Sequence, residues 1–148
     1  MKMQFEETMP MTGGFRMRVF EKGILIDEYE EKNLIVNGAR SAAAQLIAGA
    51  GSGKHIAKIA FGTNGNIPTP DDTAITAPFI KNLSGVTYPV LGRAEFSWKL
   101  LASEANGKQI IEFGLLCEDG TLWARKVREE AVPKGPDIAL EGEWFINH

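Results

Sequence analysis

The feature that most constrains this chain is its C-terminal third, where strand-sized apolar runs alternate with short polar turns. The runs are 92–102, 109–117, 121–128 and 138–146. They are separated by Asn106–Gly107, Asp119–Gly120 and Pro133–Pro136, and residues of these types are typical of the turns that connect strands. The pattern therefore predicts a series of antiparallel strands.

Alternation within these runs predicts which faces are buried. In 93–100 the apolar side chains Ala94, Phe96, Trp98 and Leu100 alternate with polar ones, so this strand should have one wet face. In 109–117 both faces are largely apolar, which predicts a strand covered on both sides. The last run, 138–146, is expected at a sheet edge because it ends the chain.

The first half of the sequence predicts a hairpin, a helix and a short strand. Residues 14–21 and 24–30 straddle Gly23, which can adopt the positive φ of a tight loop. An alanine-rich run predicts one short α-helix at about 38–48, and 56–61 predicts a strand. Two sheets packed face to face with the helix on one flank give a mainly β fold, an antiparallel, jelly-roll-like β-sandwich.

Residues 62–91 are predicted to form a long proline-rich arm of the sandwich. Four of the seven prolines of the chain lie here. Proline has no backbone N–H, so it cannot donate the hydrogen bond that a central strand requires. The run 69–72, Thr-Pro-Asp-Asp, matches a helix N-cap, so one helical turn is expected there. The apolar residues of this arm need cover from the chain's own sheet or from a neighbouring subunit. The predicted organisation is an N-terminal arm, 1–12, and one β-sandwich domain, 13–148.

Composition excludes several classes of protein. With 148 residues and a formal net charge of −3, the chain is sized for one domain and has no basic excess to attract nucleic acid or an anionic membrane. Its single cysteine, Cys117, cannot form an internal disulfide, which fits synthesis in a reducing cytoplasm. No apolar run reaches the length of a membrane span, so neither secretion nor insertion is expected.

Several residue groups resemble reactive sites, and each has a simpler structural interpretation. The run 49–55 contains glycines and Lys54 like a phosphate-binding loop, but its glycine spacing is one residue short and His55 replaces the hydroxyl residue. Asp71 and Asp72 could bind calcium or could cap a helix, and the capping interpretation is favoured. The two histidines lack zinc-ligand partners, and Cys117 is expected to be an inert buried thiol.

The three tryptophans, Trp98, Trp123 and Trp144, could form a sugar-binding platform, but one per strand is also how a sandwich core is filled, and the core interpretation is favoured. The carboxylate groups at 28–31 and at 129–130 are expected at solvated strand ends. The sequence thus predicts no catalytic, cofactor-binding or metal-binding residue, and no enzymatic activity.

Four motifs carry a resemblance to a known class of protein. They are IAFGTNG at 59–65, PTPDDT at 68–73, EFGLL at 112–116 and DGTLWAR at 119–125. In this order they resemble small structural proteins of tailed bacteriophages or prophages, namely tail-fibre, collar and capsid-decorating proteins, over about residues 34–147. The chain lacks the glycine-rich repeats of the fibre proteins, so the resemblance implies a compact accessory virion protein made in the bacterial cytoplasm.

The resemblance implies function by self-association and by docking on a tail, collar or capsid surface, with no cofactor. Expected partners are other copies of the chain and other virion proteins, a glycan being possible, and neither nucleic acid nor membrane. Methionine suits adaptable interfaces, so deleting residues 1–12 should leave a folded domain that assembles poorly. The predicted interface residues are Met3, Phe5, Met9, Met11, Phe79, Ile80, Leu83 and Tyr88.

Two alternatives remain open. A carbohydrate-binding or receptor-binding β-sandwich module would expose aromatic rings, and outward placement of Trp123 with Tyr88 would favour it. A small β-fold enzyme would need a pocket that gathers His55 with two carboxylates.

Overall fold

A computed structural model describes residues 11–148 and shows two five-stranded antiparallel sheets and one short helix within that range. The predicted mainly β sandwich with one short helix is confirmed. The elements are β1 Thr12–Glu21, β2 Ile24–Lys32, β3 Leu34–Ile35, α1 Asn37–Ile47, β4 Ile56–Gly62, β5 Phe79–Asn82, β6 Gly85–Thr87, β7 Arg93–Leu100, β8 Gln109–Cys117, β9 Leu122–Pro133 and β10 Ile138–Asn147.

The first sheet has the order β2-β1-β10-β7-β6 and the second the order β3-β9-β8-β4-β5. The pairs β1 with β10, β3 with β9, β4 with β8 and β6 with β7 nest inside one another along the chain. This nesting is the jelly-roll-like feature of the sandwich. The chain resembles one long hairpin whose successive strand pairs belong to one sheet or the other.

The prediction that the last strand forms an edge is wrong. Strand β10 lies between β1 and β7, and its pairing with β1 runs from Thr12 opposite Asn147 to Glu21 opposite Ile138. A full-length partner from the other end of the chain therefore decides the position of β10. Nothing in the local sequence of β10 reports that partner.

The predicted C-terminal turns have different roles in the structure. Asp119–Gly120 closes the β8–β9 hairpin, whereas the connection containing Asn106–Gly107 carries the chain from the first sheet to the second. Residues 134–137 return it to the first sheet. Lys134 is buried in this return and donates to the carbonyls of Ala102 and Gly135 and to Asn106 Oδ1, at 2.9–3.0 Å. Burial lowers the pKa of Lys134.

Aromatic side chains from both sheets fill the main core. The Trp98 ring stacks on Phe15 at 5.5 Å and meets Phe61 edge-on at 5.6 Å, so it spans the two layers. Trp98, Trp123 and Trp144 are each at most 4% exposed, which confirms the core interpretation of the tryptophans. The wet face predicted for β7 is seen only at its C-terminal end, where Lys99 is exposed while Trp98 and Leu100 are buried; residues 93–97 are all half-buried.

A second, smaller core confirms that β8 is covered on both faces. It comprises Val36, Ala60, Ile75, Leu116 and Leu122. Ile75 comes from the predicted arm, and its Cγ1 lies 2.5 Å from where a Cβ on Gly114 would be. The residues between β4 and β5 therefore lie on the outer face of the second sheet, and the glycine at 114 allows this close approach.

The helix matches its predicted span to within a residue and buries Ala39 and Ala42. The predicted helical turn at 69–72 does not form. Asp72 accepts from the backbone N–H and hydroxyl of Thr69, as in a helix cap, but the chain then continues without a helix. The segment must reach Ile75 at the sheet, and a helix would shorten it.

Candidate interaction surface

A groove at one end of the first sheet exposes a continuous run of apolar side chains. Tyr88 is 75% exposed, Val90 56% and Leu91 fully exposed. The groove has a volume of about 590 Å³. We call it the end groove, and it is lined by Tyr88, Pro89, Val90, Leu91, Gly92, Arg93, Ala94 and His148.

Backbone hydrogen bonds hold the turn that carries the end groove. The Arg93 N–H donates to the Val90 carbonyl at 3.2 Å, and the His148 N–H donates to the Gly92 carbonyl at 2.8 Å. Gly92 has a φ of +78°, and a Cβ there would lie 2.7 Å from the His148 carbonyl oxygen. Glycine therefore fixes this tight turn, and the turn directs the Leu91 side chain into solvent.

A chain of polar contacts links the end groove to the start of β1. Arg93 Nε donates to Asn147 Oδ1 at 2.7 Å, and Asn147 Nδ2 donates to Thr12 Oγ1 at 3.3 Å. The Arg93 guanidinium also lies 4.7 Å from the centre of the Phe145 ring. The groove and the point where the described chain begins are thus parts of the same sheet end.

The predicted interface residues are divided among several places. Met3, Phe5 and Met9 lie outside the described residues. Met11, Phe79 and Leu83 are partly buried and pack against the chain's own core. Ile80 is 48% exposed on β5, at the edge of the second sheet. Among the predicted residues that the structure describes, Tyr88 alone lines the end groove.

Sequence reasoning missed Val90 and Leu91, although both belong to the predicted arm. The available signal was their position between Pro89 and Gly92. A proline and a glycine on either side predict a turn. Apolar side chains in a tight turn are not placed on the buried face of a strand, so some of them are expected to be exposed.

Elsewhere on the outer face of the first sheet, arginines of β1 form ion pairs with glutamates of β10. Arg18 forms a two-pronged ion pair with Glu143, at 2.7 and 2.9 Å, and Arg16 contacts Glu143 at 3.3 Å. The hydrogen bonds from Arg18 and the charges of both arginines lower the pKa of Glu143, against the effect of burial. These ion pairs occupy the middle of the face, whereas the end groove is lined mainly by apolar side chains.

A buried ion pair fastens the segment between β4 and β5 to the second sheet. Arg125 Nε donates to Glu112 Oε1 at 3.0 Å, and both side chains are at most 3% exposed. The second oxygen of Glu112 accepts from the backbone N–H groups of Asn64 and Thr76, at 2.6 and 3.2 Å. Arg125 also donates to Asp72 at 3.0 Å.

This cluster holds structure in place and presents no free reactive group. Arg125 additionally donates to the carbonyls of Asn64 and Asn66, at 2.9 and 3.0 Å, so its donors are taken up by the segment that it anchors. Burial opposes the ionised form of Asp72, but hydrogen bonds from Thr69 and Arg125 outweigh it and lower the pKa of Asp72. The predicted role of Asp72 as a helix cap is replaced by this anchoring role.

The run that resembles a phosphate-binding loop is a turn closed by its own ion pair. Lys54 Nζ contacts Asp119 Oδ2 at 2.7 Å and donates to Thr121 Oγ1 at 3.1 Å. The bond from Lys54 lowers the pKa of Asp119. His55 pairs with Glu118 at 3.0 Å on an open surface, with both side chains 59% exposed. The lysine is thus engaged by the protein and is not free to bind a phosphate.

Cys117 is fully buried, and burial raises its pKa to about 11, which fits the expected inert thiol. Within residues 11–148, no group of three histidine, cysteine or carboxylate side chains could hold a metal ion. No helix in that range is long and apolar enough to cross a membrane.

Comparisons with known proteins identify no relative of this chain. No protein-family model matches it, and neither a curated protein nor a solved structure matches it.

Proposed function

We propose that this chain is a structural or accessory protein of a bacteriophage virion. It acts by self-association and by docking on the tail, collar or capsid surface of the particle, without catalysis. The proposal is supported by the four motifs between residues 59 and 125 that resemble those of small phage structural proteins. It is also supported by the end groove, which has the character of an interaction surface.

The end groove is the observation that carries the proposal. Apolar surface in water costs about 25 cal/mol per Å² relative to burial, so clustered exposed side chains such as Tyr88, Val90 and Leu91 favour association. In a symmetric assembly the same contact repeats at every subunit, and repeated modest contacts add up to stable attachment. A virion component needs this property and no bound cofactor.

The arrangement of polar residues supports a structural role. Arg125 and Glu112 bind the chain's own backbone, Lys54 binds Asp119, and Lys134 is enclosed by three acceptors. Each of these charged side chains stabilises a loop or a turn. Their common effect is a rigid sandwich that holds its surface residues in fixed positions.

A glycan-binding module is less well supported. Its predicted feature was an exposed Trp123 beside Tyr88, but Trp123 is 4% exposed. Among the described residues Tyr88 is the only aromatic side chain that is mainly exposed. Sugar platforms commonly need more than one ring, so glycan-array binding is retained as the measurement that would revive this alternative.

We expect the purified chain to form a discrete multimer. The measurement is light scattering coupled to size-exclusion chromatography at several protein concentrations. A defined dimer or higher multimer whose population rises with concentration supports self-association. A strict monomer over the whole range contradicts it and leaves only docking on a preformed lattice.

We also expect the chain to be part of finished phage particles. Particles induced from the encoding bacterium and purified on a density gradient should contain it at a stoichiometric ratio to a known coat or tail protein. Mass spectrometry of the gradient fractions measures this ratio. Recovery of the chain only in the soluble lysate would contradict a virion role.

A further inference from the structure

We infer that the end groove binds residues 1–10 of a second copy of the chain, and that two copies exchange these segments reciprocally. This inference rests on the proposed self-association and names the two surfaces that meet. It joins the two interface regions that the sequence predicted separately, the N-terminal arm and the arm at 62–91.

The described chain begins in the first sheet, close to the end groove. Thr12 lies opposite Asn147 on β10, and Asn147 lies opposite Arg93 on β7. Arg93 lines the end groove, so two strand spacings, about 10 Å, separate the start of β1 from the groove. Ten extended residues reach at most about 35 Å, which is ample for contact with a groove on an adjoining molecule.

The sequence of residues 1–5 alternates apolar with polar residues, which suits binding in an apolar groove. Met1, Met3 and Phe5 alternate with the polar residues Lys2 and Gln4, which gives an extended chain one apolar face. Flexible methionine side chains fit irregular apolar grooves well. An extended apolar face of this kind suits the side chains that the end groove leaves exposed.

Strand β6, beside the end groove, has a free edge that could pair with an added strand. Strand β6 is the last strand of the first sheet, and all three of its residues, Gly85–Thr87, are exposed. No strand within residues 11–148 pairs with its outer edge, and the chain runs from β6 directly into the groove. An extended segment can therefore pair with β6 through its backbone while its apolar side chains enter the groove.

Charge is also complementary. The segment contains Glu6 and Glu7, whereas the groove contains Arg93. Within the described part of the chain Arg93 contacts Asn147 and the Phe145 ring but forms no salt bridge. An acidic segment would supply the missing counter-charge.

Symmetry and size favour a second copy as the source of the segment. The exit of the segment and the groove lie at the same end of one sheet, so two copies that meet end to end place each exit opposite the other groove. This is the self-complementary geometry of a twofold dimer. Stable interfaces bury roughly 800 Å² per partner, more than an exposed patch of a few hundred Å² supplies, so the exchanged segments provide the remaining area.

The first test compares four proteins by light scattering: the full chain, a truncation that lacks residues 1–10, Leu91→Asp and Ile67→Asp. Ile67 is 85% exposed on the segment over the second sheet and serves as the matched control. We expect dimers for the full chain and for Ile67→Asp, and at least a tenfold weaker dimer for the other two. Circular dichroism should show all four folded, because every described strand begins at Thr12 or later.

The outcomes separate this inference from the proposed function. A full chain that is monomeric at all concentrations overturns the proposed self-association itself. A dimer that survives both the truncation and Leu91→Asp leaves self-association intact and overturns only the exchange of segments.

The second test identifies the source of the segment by disulfide trapping. The full chain carrying Gln4→Cys is mixed with the truncated chain carrying Pro89→Cys, and a disulfide between them necessarily joins two copies. Cys117 is buried and does not compete. We expect this crosslink and its loss when Leu91→Asp is added to the truncated chain. The full chain carrying both Gln4→Cys and Pro89→Cys is prepared in parallel. If that protein forms the disulfide within one chain while the mixture gives no crosslink, the segment lies in its own groove and the second-copy assignment is overturned.

Discussion

Replacing Arg125 by methionine is expected to lower the free energy of unfolding by about 3–5 kcal/mol. The substitution leaves the Glu112 carboxylate buried without its cation, and removing one member of a buried ion pair costs more than the pair itself contributes. The carbonyls of Asn64 and Asn66 lose their donor as well. We expect the segment between β4 and β5 to detach before the sandwich unfolds.

The matched control is Arg128→Met on the same strand. Arg128 pairs with Asp27 at 3.4 Å and lies 4.8 Å from the centre of the Tyr29 ring. The Asp27 side chain is 52% exposed, so no buried charge is left unpaired and the loss should stay within about 2 kcal/mol. Urea denaturation measures both variants, and hydrogen exchange at the backbone N–H groups of Asn64 and Thr76 reports the detachment. Equal losses for the two arginine variants would show that the buried pair does not anchor the segment.

Local patterns in the sequence predicted the elements of this fold well. Alternation identified the buried positions Trp98 and Leu100 of β7, and the alanine-rich run identified the helix to within a residue. These features depend on neighbours two to four positions apart, which the sequence displays directly. The burial of Trp98 and Trp144 followed for the same reason, because each lies on the apolar face of a predicted strand.

Long-range pairing was not predictable in the same way. Strand β10 lies inside the first sheet because β1 pairs with it along its whole length, and neither strand carries a local signal of the other. The separation of β7 and β8 into different sheets was equally unpredictable. The sequence that connects them is typical of a turn, and it does not show whether the turn closes a hairpin or crosses to the other sheet. Distant contacts decide both features.

The sequence contains a signal for the anchoring of the segment between β4 and β5. Glu112 stands on a strand predicted to be covered on both faces, and Arg125 stands on the next strand. A charge on a covered face requires a partner, and an arginine on the adjacent strand is a candidate. The Val90–Leu91 pair between a proline and a glycine gave a comparable signal for the end groove. In both places a residue that contradicts its local pattern marks a feature that the pattern alone does not predict.

Replacing Trp98 by alanine is expected to lower the free energy of unfolding by about 3–5 kcal/mol. Trp98 is 1% exposed and joins the two sheets, because it stacks on Phe15 of β1 and contacts Phe61 of β4 and Phe113 of β8. Alanine would leave a cavity where both sheets meet. The surrounding strands cannot close that cavity without losing their hydrogen-bonded register.

Two further variants separate cavity formation from the loss of an aromatic ring. Trp98→Phe keeps a ring against Phe15 and removes an indole N–H that has no hydrogen-bond partner among residues 11–148, so its loss should be clearly smaller than that of alanine. Tyr88→Ala removes an aromatic ring that is 75% exposed and should change stability by less than about 0.5 kcal/mol. Urea denaturation of the three variants, at concentrations where each is monomeric, measures the order. If Trp98→Ala were no more destabilising than Tyr88→Ala, the two sheets would not be joined through this side chain.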